Sequence, residues 1–205
     1  MVSAFLHGLI LAFGLILPLG AQNVFVFNQG AFHRRFRQAL PTVLTAALCD
    51  TLLITLAVLG ISLVILGSSW IKTVLLGMGV LFLLYMGWNT WKVTPGADGG
   101  LDHPRETFSA RKQIAFAASA SLLNPHAIMD TTMVLGTSSL QYAGMEKAAF
   151  AVATVLVSWF WFFGLALAGR FLGELDSSGR IMMILQKISA LVMWGAAVYL
   201  GFSLW

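Results

Sequence analysis

Leu17-Pro18-Leu19-Gly20-Ala21-Gln22-Asn23 falls inside an apolar run that covers residues 4–27. A run of this length is what a helix needs to cross the hydrocarbon of a bilayer, where each backbone polar group must find its partner within the helix. Proline removes one of those hydrogen bonds, and glycine tolerates non-helical angles. The stretch therefore predicts a membrane helix broken near its middle. Its freed amides and carbonyls would be available to a ligand, with the carboxamides of Gln22 and Asn23 beside them. The simpler alternative is a kink at which Asn23 bridges two helices.

Outward from the break, apolar runs recur at 39–66, 71–91, 113–135, 147–169 and 181–204. Of the 205 residues, 59% are apolar and 10% charged; a soluble domain needs about 25% charged residues for its solvated shell. Mean hydropathy is +0.86, so apolar side chains face lipid as well as core. Six spans use most of the chain and leave no room for a soluble domain. The first run reads as a retained span, because Met1 is followed by no basic region and no small-residue cleavage site. Cys49 is the single cysteine, which excludes an intramolecular disulfide.

Lysine and arginine near span ends resist translocation and set orientation. Arg34, Arg35, Arg37, Lys92, Arg105, Arg111, Lys112, Arg170, Arg180 and Lys187 flank the first, third and fifth loops, whereas Lys72 and Lys147 flank the second and fourth. The bias predicts cytoplasmic odd loops and both termini outside the cell membrane. The net charge of +4 thus has a topological reason, and no nucleic-acid partner is expected.

The two halves resemble each other. Tyr85-Met86-Gly87-Trp88-Asn89-Thr90-Trp91 and Tyr199-Leu200-Gly201-Phe202-Ser203-Leu204-Trp205 share the pattern Y-x-G-x-x-x-W. The first and fourth runs both contain a proline, Pro18 and Pro125, and at the same offset Asn23 falls on Asp130. Three spans per copy is an odd number, so the second copy must insert upside down. The expected fold is an all-α membrane protein of six transmembrane helices, two inverted three-helix repeats, with helices 1 and 4 broken at proline. Repeat one would be 1–92 and repeat two 113–205, joined by a cytoplasmic linker at 93–112, all within a single domain over 1–205.

Two carboxylates lie within spans, Asp50 and Asp130. A buried ionisable group is costly in a membrane and normally faces a cavity or a partner. Lys187 is the nearest cation, but its stem can reach the cytoplasmic edge instead. The bland alternative is a protonated aspartate, or one hydrogen-bonded to Asn124 or Ser158. Two carboxylates on one cavity suit a cation, a proton, or both in turn. Leu123-Asn124-Pro125-His126-Ala127-Ile128-Met129-Asp130 breaks the fourth span as 17–23 breaks the first, and His126 suits either a proton relay or helix packing. Ser158-Trp159-Phe160-Trp161-Phe162-Phe163-Gly164 reads as lipid-facing or packing aromatic surface. Gly77 and Gly79, and Gly164 with Ala168, suit close helix contacts, while His7 and His33 carry no special signal. No metal-binding His/Cys cluster, phosphate-binding glycine loop or nucleophilic triad is visible, so neither an enzyme nor a resident cofactor or metal is expected.

At these residues the chain resembles the LysE family of amino-acid exporters. The matching pieces are Pro18 through Val26 with Asn28-Gln29-Gly30, then Cys49-Asp50, then Leu123-Asn124-Pro125-His126 through Asp130, then Ser158 through Phe162. They follow the family's order and spacing over nearly the whole chain, although Ala21 stands where the family usually has a second proline. The Gln-Asn pair and the two aspartates look more like the lysine/arginine branch than the homoserine/threonine branch. The resemblance implies export of L-arginine or L-lysine by alternating access, coupled to protons or driven by the membrane potential. Pro18, Gly20, Gln22, Asn23, Asn124 and Pro125 would hold the α-amino and α-carboxylate groups. Asp50 and Asp130 would read the cationic side chain, with Asp50, Asp130 and His126 as proton carriers. The expected partners are the amino acid and the lipid bilayer, with a homodimer left open. Rival readings are a neutral amino-acid exporter and, less favoured, a divalent-cation transporter using the aspartates with Asn124 and Gln22.

Overall fold

The first helix, α1 (Val2–Ile16), stops short of Pro18, and α2 (Ala21–Phe32) starts after Gly20, with an angle of 80° between the two. The computed structural model of the chain describes residues 1–17, 20–33, 35–60, 69–92, 108–175 and 180–202. Pro18, the 61–66 end of the second apolar run and the linker over 93–107 lie outside the described residues.

One 3-10 turn at Phe36–Gln38 leads into α3 (Leu40–Val58). This helix ends earlier than its apolar run because Gly60 takes φ +78°, a left-handed position that glycine occupies without strain. Its threonines are tolerated in an apolar helix because Thr45, Thr51 and Thr55 each donate to the carbonyl four residues back. Next come α4 (Ser69–Lys92) and α5 (Ala110–Leu122), the latter capped by Ser109, whose hydroxyl accepts from the Lys112 amide. The fourth apolar run is interrupted at Leu123–Asn124. It resumes as α6 (Pro125–Asp130), widens into a π-helical turn at Thr131–Gly136 and ends with Thr137–Ser139. Finally, α7 (Gly144–Leu175) and α8 (Arg180–Phe202) complete the order. All regular structure among the described residues is helical.

Contacts along the helices fix their directions. The pair α1–α2 runs parallel to α7: the Met1 amino group meets Glu146 at 2.7 Å, Phe13 meets Trp161, and Ala31 meets Gly173. Both halves therefore advance the same way along one continuous helix of 32 residues, about 48 Å long. In that register α1 and α2 lie against successive stretches of α7. Running antiparallel to α7, α3 packs Val43, Ala46 and Ala47 with Phe162 and Ala166 at one end, and Ile54 and Val58 with Phe150 at the other. In the same way α8 runs antiparallel to α4, and α5 antiparallel to α2.

Two described helical segments, Phe36–Val58 and Gly144–Leu175, are long and apolar enough to cross a membrane, and the bent α1–α2 pair is a third if taken as one span. In such a setting helices associate through close packing, which small residues permit. Ala46, Ala47, Ala153 and Ala166 are fully enclosed. Gly30 lies against the Ala166 backbone and Gly169 against the Phe27 carbonyl, so any side chain at either would strike main chain. These glycines, with Gly8 and Gly173, make the close contacts. The expectation at Gly77 and Gly164 is corrected, because a Cβ at either would meet nothing within 4 Å among the described residues.

Candidate functional site

On α3 the stripe facing α7 reads Val43, Ala46, Ala47, Asp50, Ile54 and Val58; on α7 the answering stripe reads Phe150, Ala153, Thr154, Ser158, Phe162 and Ala166. Helical spacing thus places one carboxylate and one hydroxyl at the same level of an otherwise apolar seam. Ser158 Oγ donates to Asp50 Oδ2 at 3.0 Å. The other carboxylate oxygen, Asp50 Oδ1, accepts from Gln22 Nε2 at 3.2 Å, which reaches across from the first turn of α2. Three helices therefore converge on Asp50, and both its donors are neutral.

The neighbouring carboxamide works in the opposite direction. Asn23 Nδ2 donates at 2.9 Å to the Ile16 carbonyl, one of the last-turn acceptors that the end of α1 leaves without a helical partner. Its Oδ1 accepts from the Trp161 indole at 3.3 Å. Asn23 thus ties both halves of the broken helix to α7. Next in sequence to the Ser158–Asp50 bond, Trp159 Nε1 donates to Thr51 Oγ1 at 3.0 Å, which adds a second link between α3 and α7. The Asn23 bridge and the Ser158 bond were both open alternatives in the sequence. The aromatic run was expected to be surface or packing; Ser158, Trp159 and Trp161 instead supply the polar contacts, while Phe160 is exposed and Phe162 enclosed.

Among the described residues no cation pairs with Asp50. The described ion pairs are Met1 with Glu146 and Arg170 with Glu174, both at helix ends. Lys187 donates to the Trp91 carbonyl at 2.7 Å and sits 4.0 Å from the centre of that residue's indole, closing the end of α4. It is engaged there and is not a partner of Asp50.

The second break lies against the first. A Cβ built on Gly20 would stand 4.0 Å from Asn124 Nδ2, so the two interruptions meet. Asn124 also caps α6, its side-chain oxygen accepting from the Ala127 amide at 3.5 Å, and Pro125 and His126 open that helix. Asp130 closes α6; it is half-buried and is not among the hydrogen-bond partners of Asp50. Among the predicted site residues, the structure brings together Gln22, Asn23 and Asp50 at one centre and Gly20 with Asn124 at its edge. Among the described residues no group of three or more His, Cys, Asp or Glu could hold a metal ion.

A second buried polar set was not predicted from the sequence. Thr42 Oγ1 donates to Gln113 Oε1 at 3.0 Å. The Gln113 amide nitrogen then lies 2.9 Å from the Phe108 carbonyl and 3.2 Å from His33 Nε2. With Nε2 accepting, His33 Nδ1–H donates to the Gln29 carbonyl at 2.8 Å, so each of these side chains is satisfied. The set joins the end of α2 to the starts of α3 and α5. Only the spacing of Gln113 and Thr42 within apolar helical faces could have hinted at it.

The family described as LysE type translocator matches residues 13–204. A Bacillus subtilis (strain 168) protein provisionally named amino-acid transporter YisU is 55% identical over 203 residues, covering 99% of this chain and 91% of its own. The arginine exporter protein ArgO of Pectobacterium carotovorum subsp. carotovorum (strain PC1) is 35% identical over 206 residues, 100% of both chains. ArgO of Enterobacter sp. (strain 638) is 35% identical over 202 residues, 98% of this chain and 94% of its own. No solved structure matches the chain at a significant level.

Proposed function

The chain belongs to the LysE type translocator family, and from that premise we propose that it is a secondary active exporter of basic amino acids, L-arginine and/or L-lysine, working by alternating access. Full-length similarity to proteins named arginine exporters supports the substrate class. The observation that carries the reading is Asp50: a carboxylate between the ends of α1 and α2, gripped by two neutral donors and, among the described residues, by no cation. A guanidinium or ammonium approaching it gains a charge-assisted hydrogen bond that neutral donors do not supply. The first turn of α2, which has no side-chain cap at Gly20, offers its amides to the α-carboxylate. Asn124, beside Gly20, would extend that site, and Pro18 and Pro125 are the residues we propose to set the breaks. Asp130 is the second carboxylate of the path, and His126 a further proton carrier.

Two inverted repeats fit the contact registers. Antiparallel neighbours related by a two-fold axis in the membrane plane meet where each residue faces its own counterpart. Asp50 touches Ser158, 108 residues on, close to the 107 that separate Pro18 from Pro125. The first break lies on the second at Gly20 and Asn124, and Leu83 shares a packed cluster with Ala197, 114 residues on, the spacing of the two Y-x-G patterns. With the odd loops cytoplasmic, both termini are outside and the His33 end of α2 faces the cytoplasm.

A membrane potential negative inside opposes export of a cation by about 2.3 kcal/mol per charge per 100 mV. An inward proton on Asp50 or Asp130 would offset that. The neutral-exporter reading has one observation in its favour: Asp50 is already hydrogen-bonded, so it could carry only the proton. Counterflow of labelled arginine into proteoliposomes, with threonine as competitor, separates the two. Competition by lysine alone supports the basic exporter, and competition by threonine the neutral one.

A further inference from the structure

Between the Asp50 centre and the His33 set lie two amide side chains that nothing above uses. Asn28 and Gln29 are 6% and 5% exposed, and their oxygens, Asn28 Oδ1 and Gln29 Oε1, are buried with no hydrogen-bond partner among the described residues. Neutral acceptors left unpaired in a packed interior are rare, because they forgo the bonds they would make in water.

The register of Gln29 gives it a place on a line, with Asn28 about 100° round the helix from it. Phe27, Gly30 and Ala31 occupy the face of α2 against α7. The face turned away carries Gln22, Phe25, Gln29 and His33, residues spaced by three, four and four, with Asn28 adjoining. At one end of this stripe Gln22 donates to Asp50; at the other His33 is bonded to Gln113. Phe25, packed against Phe116 with ring centres 4.5 Å apart and tilted by 48°, forms an apolar rung between. Gln29 stands about 10 Å along the axis from Gln22 and about 6 Å from His33.

We infer that Asn28 and Gln29 form a second station for the cationic group of the substrate, between the Asp50 centre and the end of the path that the His33, Gln113 and Thr42 set closes. The inference rests on the export reading. Its ligand class follows from the chemistry: two orphaned carbonyl oxygens accept from a donor, and an ammonium or a guanidinium donates without bringing an acceptor that would itself need a partner. Uncharged oxygens suit transit, since a site on a permeation path must bind well enough to be occupied and weakly enough to be left.

The test is arginine counterflow in proteoliposomes of the wild-type chain and of the Asn28→Leu, Gln29→Met double variant, beside thermal unfolding of both in detergent. Apolar groups of similar size in place of unpaired amides leave the fold as stable or more so. The expected result is an unfolding temperature no lower than wild type, with the rate at subsaturating arginine down about ten- to hundredfold, the factor for a hydrogen bond to a charged group. Exchange within about twofold of wild type overturns the station and leaves the export reading intact. A lowered unfolding temperature, with the rate following the folded fraction, also overturns it, because the amides are then structural or hold a buried water. A wild-type chain that exchanges no basic amino acid fails the export reading itself, and the cation station falls with it.

Discussion

Replacing Asp50 by asparagine removes one charge and almost nothing else. Asn Oδ1 can keep the bond from Gln22 Nε2, now 3.2 Å long, and Asn Nδ2 can donate to Ser158 Oγ, which need only rotate its hydroxyl to accept. Both contacts survive, and the desolvation of a carboxylate is relieved, so the fold should lose less than about 1 kcal/mol. The substrate loses a charge-assisted hydrogen bond worth about 1.5–3 kcal/mol, which is a factor of about ten to a hundredfold in arginine transport. The assay is initial-rate uptake into proteoliposomes, with circular dichroism melting in the same detergent as the control for folding. Asp50→Asn that transports arginine within about twofold of wild type would refute the charge-reading role. A variant that fails to fold would refute the claim that the two neutral donors carry the local structure.

Gly30→Ala should lower the unfolding temperature, since the methyl group strikes the Ala166 backbone and overpacking costs about 1–3 kcal/mol, whereas Gly77→Ala in open space should hold or raise it. Detergent melts of the two variants side by side check both signs. Lys187→Met removes the Trp91 carbonyl bond and the cation over its ring, so tryptophan emission should shift while arginine transport stays within about twofold. In a Cys49→Ser background, Lys92→Cys should react with a membrane-impermeant maleimide only after the membrane is opened. Met145→Cys, which lies on an exposed side chain, should react in intact cells. The reverse pattern would invert the proposed orientation.

What the sequence made legible was the helical class, together with where to look for helix ends. Proline and glycine act locally, so Pro18-Leu19-Gly20 and Asn124-Pro125 predict breaks; among the described residues α1 ends at Ile16 and α2 begins at Ala21, while α5 ends at Leu122 and α6 begins at Pro125. Asp50 stood out because a carboxylate within an apolar run has no local reason to be there. Its partners did not stand out, because Ser158 and Trp161 sit in a run whose composition reads as lipid-facing, and only the pairing of two helical stripes reveals which residues turn inward. The close-packing glycines were misassigned for the same reason. Gly77 and Gly30 look alike in sequence, and what separates them is whether another backbone passes at that level. His33, Gln113 and Thr42 are 71 or more residues apart across two of their pairings, so their network is invisible until α2, α3 and α5 are brought together.

The central claim is that this chain moves basic amino acids. Its most direct test is counterflow of radiolabelled arginine into proteoliposomes preloaded with arginine, with lysine, threonine and cadmium as competitors. The account predicts transient accumulation of label that lysine suppresses and that threonine and cadmium leave unchanged. Accumulation suppressed by threonine and not by lysine would contradict it, and so would a preparation, folded by its melting curve, that accumulates no label at all.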